Sequence, residues 1–170
     1  VTSIDALRLM HYRTEPLTFD PSHTYTQRPR STYGKPVGLW VSVEGDDDWP
    51  TWCRNEDFRL DALAVAHEVR LRASADIRLV SSVEEIDRFH DAFAAPTDFD
   101  LHYGNGPDEW GIDWPTVVQR YDGIVIAPYL WERRLGSKCD WYYTWDCASG
   151  CIWNLHAIES VTVTAEAVKR

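Results

Sequence analysis

Residues 37–43 read VGLWVSV and residues 149–154 read SGCIWN. The first run is β-branched and aromatic, lies between Pro36 and the polar turn GDDD at 45–48, and predicts a strand. The second predicts a strand over 151–153, cut short by Asn154. Outward from these two, strands are expected over 4–11, in the second half of 60–72, over 77–80 and over 123–126. A tail over 157–168, alternating at Val161 and Val163, is expected to close a sheet edge. Helical signals are fewer. Asp48 with Pro50 opens a short helix, Ser82-Val-Glu-Glu85 is a capping box for a helix to Phe93, and Asp113-Trp-Pro115 opens another to about Tyr121. Strands outnumber helices and the order is not βαβ repeated, so the class is α+β with mostly antiparallel strands. Residues 14–36 are rich in Pro, Ser, Thr and Tyr and predict a long loop, functional or mobile.

The chain has 170 residues, which suits a single domain over 1–170, and 44% hydrophobic residues are enough for a real core. With 27 acidic against 17 basic residues the net charge is −10. That balance argues against generic attachment to DNA, RNA or an anionic membrane, which needs surplus cations. No run approaches the roughly 18 apolar residues of a spanning helix, and the start lacks a secretory pattern, so a soluble, cytoplasmic protein is expected. Cys53, Cys139, Cys147 and Cys151 lack the paired spacing of a zinc ribbon, and GDDD lacks the spaced ligands of an EF-hand. Free thiols and no metal site follow. Nine Trp residues can serve a core or a stacking cleft equally well.

Nucleotide-cradling Gly-rich loops, the H-E-x-x-H helix and the G-x-S-x-G elbow are all missing. Three segments carry the chemistry instead: His11-Tyr12-Arg13-Thr14, Lys35-Pro36-Val37-Gly38-Leu39-Trp40-Val41-Ser42, and Trp145-Asp146-Cys147-Ala148-Ser149 running into Cys151-Ile152-Trp153-Asn154. In that order they resemble the motifs of the ADP-ribosyltransferase superfamily of the His-Tyr-Glu type. Gly-Leu-Trp and Ile-Trp-Asn also resemble small uncharacterised proteins of actinobacterial phages, which would place the chain in a host cytoplasm. The first resemblance implies two small packed sheets with short helices and NAD as a substrate. It also implies ADP-ribose transfer to a macromolecular acceptor, protein or nucleic acid, or NAD hydrolysis. By the same resemblance His11 bonds a ribose hydroxyl, the Tyr12 backbone holds the nicotinamide amide, Trp40 stacks on the nicotinamide ring, and Ser42 lines the pocket beside Thr14 and Gly38.

One departure matters. Where the family's catalytic Glu would fall, two residues before the late strand, this chain has Ser149, which cannot stabilise an oxocarbenium-like centre by charge. Asp146 is the candidate carboxylate if the intervening loop folds back. Arg28, Arg30 and Lys35 put three cations in the Pro-rich loop, suited to a pyrophosphate. Plainer uses stand beside each: His11 as a surface histidine, Trp40 as core, Asp146 as a turn cap, Gly38 as a point of close backbone approach, the loop cations as solvated charge. The alternative function is a non-catalytic protein that binds a nucleotide, a nucleic-acid end or a partner in an aromatic cleft.

Overall fold

A computed structural model of the chain describes residues 3–166. In chain order the elements are β1 Leu9–Arg13, β2 Leu39–Val43, α1 Trp49–Asn55, β3 Val65–Leu71, β4 Ile77–Val80, α2 Val83–Phe93, α3 Asp98–Tyr103, α4 Trp114–Val117, β5 Gly123–Ile126, α5 Trp131–Arg134, β6 Ser149–Ile152 and β7 Ile158–Glu166. The class is α+β. All seven strands belong to one sheet, ordered β4-β5-β6-β2-β1-β3-β7, rather than to the two sheets expected. Only β4 and β5 run parallel; the other neighbours are antiparallel.

The sheet has a narrow waist. β1 pairs with β3 along its whole length and β2 pairs with β6 from Leu39 to Ser42, but β1 meets β2 only at Leu9↔Val43 and Met10↔Ser42. β6 and β7 lie four places apart in the sheet, yet only residues 153–157 connect them, and part of that link is a 3-10 turn at Leu155–Ala157. In a flat sheet those strands would stand about 19 Å apart. A link shortened by a 3-10 turn does not span that distance, so the sheet is not flat between β6 and β7, and the β1–β2 seam is where bending costs least pairing.

Local sequence explains the elements around it. Asp48 accepts the Thr51 amide at 2.9 Å to start α1, and Ser82 accepts that of Glu85 at 3.2 Å to start α2. The Glu85 carboxylate takes the amide and hydroxyl of Ser81, one residue earlier than the capping box predicts. α2 buries Ile86, Phe89, His90 and Phe93, the i, i+3, i+4, i+7 stripe of an amphipathic helix. That stripe packs with Trp114, Trp141 and the fully buried strands β5 and β6. His90 is satisfied on both ring nitrogens, by the Pro107 carbonyl at 2.9 Å and the Trp141 indole N–H at 3.1 Å.

Several boundaries differ from the sequence reading. Residues 4–6 are a 3-10 turn, so the first strand begins at Leu9 and His11 is its middle residue, not its end. The late strand is Ser149–Ile152, so Ser149 opens it instead of preceding it by two. The helix after Asp113 stops at Val117 and the chain goes on in turns, while the Asp113 carboxylate caps no helical amide and is taken instead by the Thr116 hydroxyl at 2.9 Å and by Arg30 at 3.6 Å. The closing edge strand is present as β7 against β3, while Val168 at the end of the expected tail lies outside the described residues.

The long loop is fastened at many points. Leu17 donates its amide to His67 at 2.9 Å, the Gln27 amide group clamps both backbone groups of Val37 at 2.8 Å, and the Trp114 indole donates to the Gly34 carbonyl at 2.8 Å. At its end Gly38 comes so close to β6 that a Cβ there would sit 2.6 Å from the Ile152 carbonyl oxygen and 2.7 Å from the Cys151 sulfur. Gly38 thus serves close backbone approach. Gly38→Ala is expected to destabilise the protein by about 1–3 kcal/mol, since buried overpacking moves backbone. Urea unfolding would show it as a lower midpoint at unchanged slope.

Candidate functional site

Past the seam β1 and β2 diverge, and a cleft of about 610 Å³ opens between them. Its walls are Met10 to Thr14 from β1, Trp40 to Ser42 from β2, Trp49 from α1, Phe58, Arg59 and Ala62 from the following turn, the 145–149 segment, and Lys35. Three strands far apart in sequence, β6, β2 and β1, are consecutive in the sheet and bring the three quoted segments to one place.

The opening would leave carbonyls of β2 without strand partners, and one is closed by a side chain. His11 Nδ1 lies 2.7 Å from the Trp40 carbonyl oxygen. A carbonyl only accepts, so Nδ1 carries the proton and Nε2 is left as an acceptor. Burial holds the His11 pKa below its ordinary value, outweighing the Trp40 bond, with His67 and Arg13 adding repulsion. His11 is therefore neutral at pH 7. His67, its partner across β1 and β3, has its tautomer fixed too: Nε2 accepts the Leu17 amide, so Nδ1 donates to the His11 carbonyl at 3.1 Å.

Asp146 is held by its neighbours' backbone. Trp145 is buried, and its carbonyl accepts the Tyr129 hydroxyl at 2.6 Å; the Ala148 amide donates to Asp47 and the Ala148 carbonyl accepts from Val43. The intervening residues turn back toward β2, and Asp146 lines the cleft with its carboxylate 4.0 Å from the Arg134 guanidinium. Desolvation raises its pKa above its ordinary value even though Lys35 and Arg134 oppose the shift. Ser149 also lines the cleft, but its hydroxyl donates to the Cys147 carbonyl at 3.0 Å. Ser42 is likewise engaged, accepting the Trp49 amide at 2.9 Å.

The aromatic and cationic lining completes the site. Trp40 is half-buried, packs edge-on against Trp145 at 4.9 Å between centroids, and carries the Lys35 ammonium 5.3 Å from its ring centre. Trp49 stacks on Trp52, with Phe58 edge-on to both. Arg13, Lys35 and Arg59 give three cations against one carboxylate, Asp146, in a chain of net charge −10.

Of the residues expected at a site, His11, Tyr12, Thr14, Trp40, Ser42, Asp146 and Ser149 share this lining, while Gly38, Arg28 and Arg30 do not. Arg28 is exposed, and Arg30 is drawn to Asp113 because the loop crosses there beside Gly111. Lys35 alone of the three loop cations reaches the cleft. Arg13, Trp49, Phe58 and Arg59 were not singled out by sequence; Arg13 had a signal in its place within the His11 segment, the others none. All four cysteines are buried free thiols, and burial pushes Cys147 in the cleft wall up to about 12. Among the described residues no cluster of three or more His, Cys, Asp or Glu could hold a metal, and no helix is long and apolar enough to cross a membrane. No family model, curated protein or solved structure matches the chain.

The raised pKa of Asp146 fixes a sign. A carboxylate whose folded pKa lies above its unfolded value costs stability when ionised, and that cost disappears as pH falls through the folded pKa. Asp146→Asn is expected to unfold at a higher temperature than wild type at pH 7. The difference should shrink on acidification and vanish below about pH 4, as thermal melts over pH 3–7 would show.

Proposed function

We propose that the cleft binds NAD and breaks its nicotinamide–ribose bond, passing ADP-ribose to a macromolecular acceptor or to water, as the likeness to ADP-ribosyltransferases implies. The observation that carries this reading is the meeting of the His11, Trp40 and Asp146 segments on three consecutive strands around one cleft. In this reading the Trp40 face receives the nicotinamide ring. His11 Nε2, an acceptor on a neutral ring, takes a hydrogen bond from a ribose hydroxyl. Arg13 and Arg59 neutralise the pyrophosphate, which suits guanidinium forks. As the glycosidic bond lengthens the ribose becomes oxocarbenium-like, and a fixed, poorly solvated carboxylate at Asp146 stabilises that charge more than water would. Four unpaired thiols suit a reducing compartment, and we propose the cytoplasm.

The cleft wall also holds a buried polar group available to a ligand's surroundings: the Trp145 indole N–H has no partner among the described residues.

A second reading, nucleotide binding without transfer, is favoured by Ser149, which stands where the family has its carboxylate. Calorimetry with NAD together with nicotinamide release separates the two. Transfer or hydrolysis predicts release in wild type, a loss of about 10²-fold or more in Asp146→Ala with binding retained, and weakened binding in His11→Ala. The double variant Arg13→Ala/Arg59→Ala is expected to lose NAD affinity by about tenfold or more, with a shallower salt dependence. Binding without release, in the presence of candidate acceptors, would select the second reading; no binding at millimolar NAD would reject both.

A further inference from the structure

The Trp40 face already holds a cation. Lys35 arrives on the irregular segment before β2, and its ammonium sits 5.3 Å from the centre of the Trp40 ring, within the electrostatic reach of the aromatic face. Asp146 lines the same cleft, and each favours the charged form of the other. Lys35 is nevertheless an exposed residue on a flexible four-carbon stem, with no ion pair or hydrogen bond holding the ammonium among the described contacts. An aromatic face with a movable ammonium over it, and a carboxylate lining the same cleft, are the parts from which a cation subsite can be made.

We propose that the Trp40–Asp146 corner is a subsite for a flat organic cation, and that Lys35 occupies it in the free protein as a stand-in that the incoming cation displaces. This rests on the NAD reading for the identity of the physiological cation, the pyridinium ring of oxidised nicotinamide, but not for the chemistry of the corner. The consequence is selectivity by charge. A positively charged ring gains the π-face and the carboxylate that the ammonium gives up, whereas a neutral ring of the same shape must leave the ammonium where it is or lose its attraction without replacement. Desolvation in the cleft also lowers the Lys35 pKa, against the pull of Asp146, so the charged form is less favoured there than on an open surface.

The probes are 1-methylnicotinamide, a cation, and nicotinamide, its neutral counterpart, titrated by tryptophan fluorescence or NMR at pH 8. Lys35→Met is expected to bind 1-methylnicotinamide about tenfold more tightly than wild type and nicotinamide unchanged. Trp40→Leu is expected to lose the cation in both backgrounds. Wild type supplies a check that needs no variant: over roughly pH 8–10 Lys35 begins to lose its proton and the cation should bind more tightly. Of the groups facing it, Asp146 stays ionised and His11 neutral, Cys147 and Cys151 are held protonated by burial, and Arg13 and Arg59 carry fixed charge. Unchanged or weaker cation binding in Lys35→Met, or an equal gain for neutral nicotinamide, would overturn the proposal. The two readings fail separately. Cation binding that strengthens in Lys35→Met while NAD fails to bind rejects the dinucleotide but keeps the subsite. NAD turnover with Lys35→Met indifferent to charge does the reverse.

Discussion

The two-residue seam between β1 and β2 is the constraint on which the rest of the structure depends. Residues 153–157 must carry the chain from β6 to β7, and a continuous flat sheet would put those strands too far apart. Folding at the seam solves the connection but exposes strand edges inside the molecule, where unpaired carbonyls are costly. His11 meets that cost at Trp40 with its Nδ1–H, and in doing so is locked into the tautomer that leaves Nε2 as an acceptor. The residue that repairs the opening in the sheet thereby presents an acceptor of fixed polarity in the cleft lining. His67 repeats the device one strand away, using both ring nitrogens to tie the loop at Leu17 to the β1 backbone.

Electrostatics reinforce the geometry. A chain of net charge −10 has a field that repels anions at long range, yet the cleft between β1 and β2 collects Arg13, Lys35 and Arg59 with a single carboxylate. The separation is maintained by pairing elsewhere. Arg133 is bidentate to Asp87, Lys138 bridges Asp91 and Asp108, and Arg8 joins Glu44 and Glu68, so these cations are already matched on the surface. Most of those pairs are exposed enough to add little stability individually. Their effect is distributional: these cations are taken up by carboxylates, while the cleft keeps three cations against one carboxylate.

What the sequence made legible was the local and the periodic. Short β-branched runs located the strands, and Asp48 and Ser82 marked helix starts, because caps and alternation are decided within a few residues. The one-sheet architecture was not legible, since strand order follows from long-range pairing such as Trp40 with Cys151, 111 positions apart in number. Nor was the short α3, which depends on Thr97 and Asp100 capping each other inside a buried turn. At the site, His11, Trp40 and Asp146 could be named because each lies in a distinctive segment. Trp49, Phe58 and Arg59 could not, because their place in the wall follows from the left-handed turn after α1. The loop cations show the same limit: Arg30 and Lys35 are five residues apart, but Asp113 draws one away while the clamp on Val37 delivers the other to the cleft.

The carboxylate enters the cleft from a turn and not from a strand. Ser149 opens β6 beside Ser42, and its hydroxyl is bound to the Cys147 carbonyl, so no charge can come from that register position. Charge reaches the cleft only because the backbone between Trp145 and Ala148 is pinned at both ends, by Tyr129 and by Val43 with Asp47. A carboxylate carried on such a turn is shorter than a strand glutamate and enters from the side of Arg134 and Lys35, which partly neutralise it before any substrate arrives. A site built this way has a carboxylate whose strength depends on whether Lys35 stays or leaves. On the proposed reading, a cation that displaced the ammonium from Trp40 would take one partner from Asp146 and supply another at the reacting end of the ligand. Binding and the exposure of negative charge to a developing oxocarbenium would then be a single event, which a strand glutamate with no internal counter-ion would not couple.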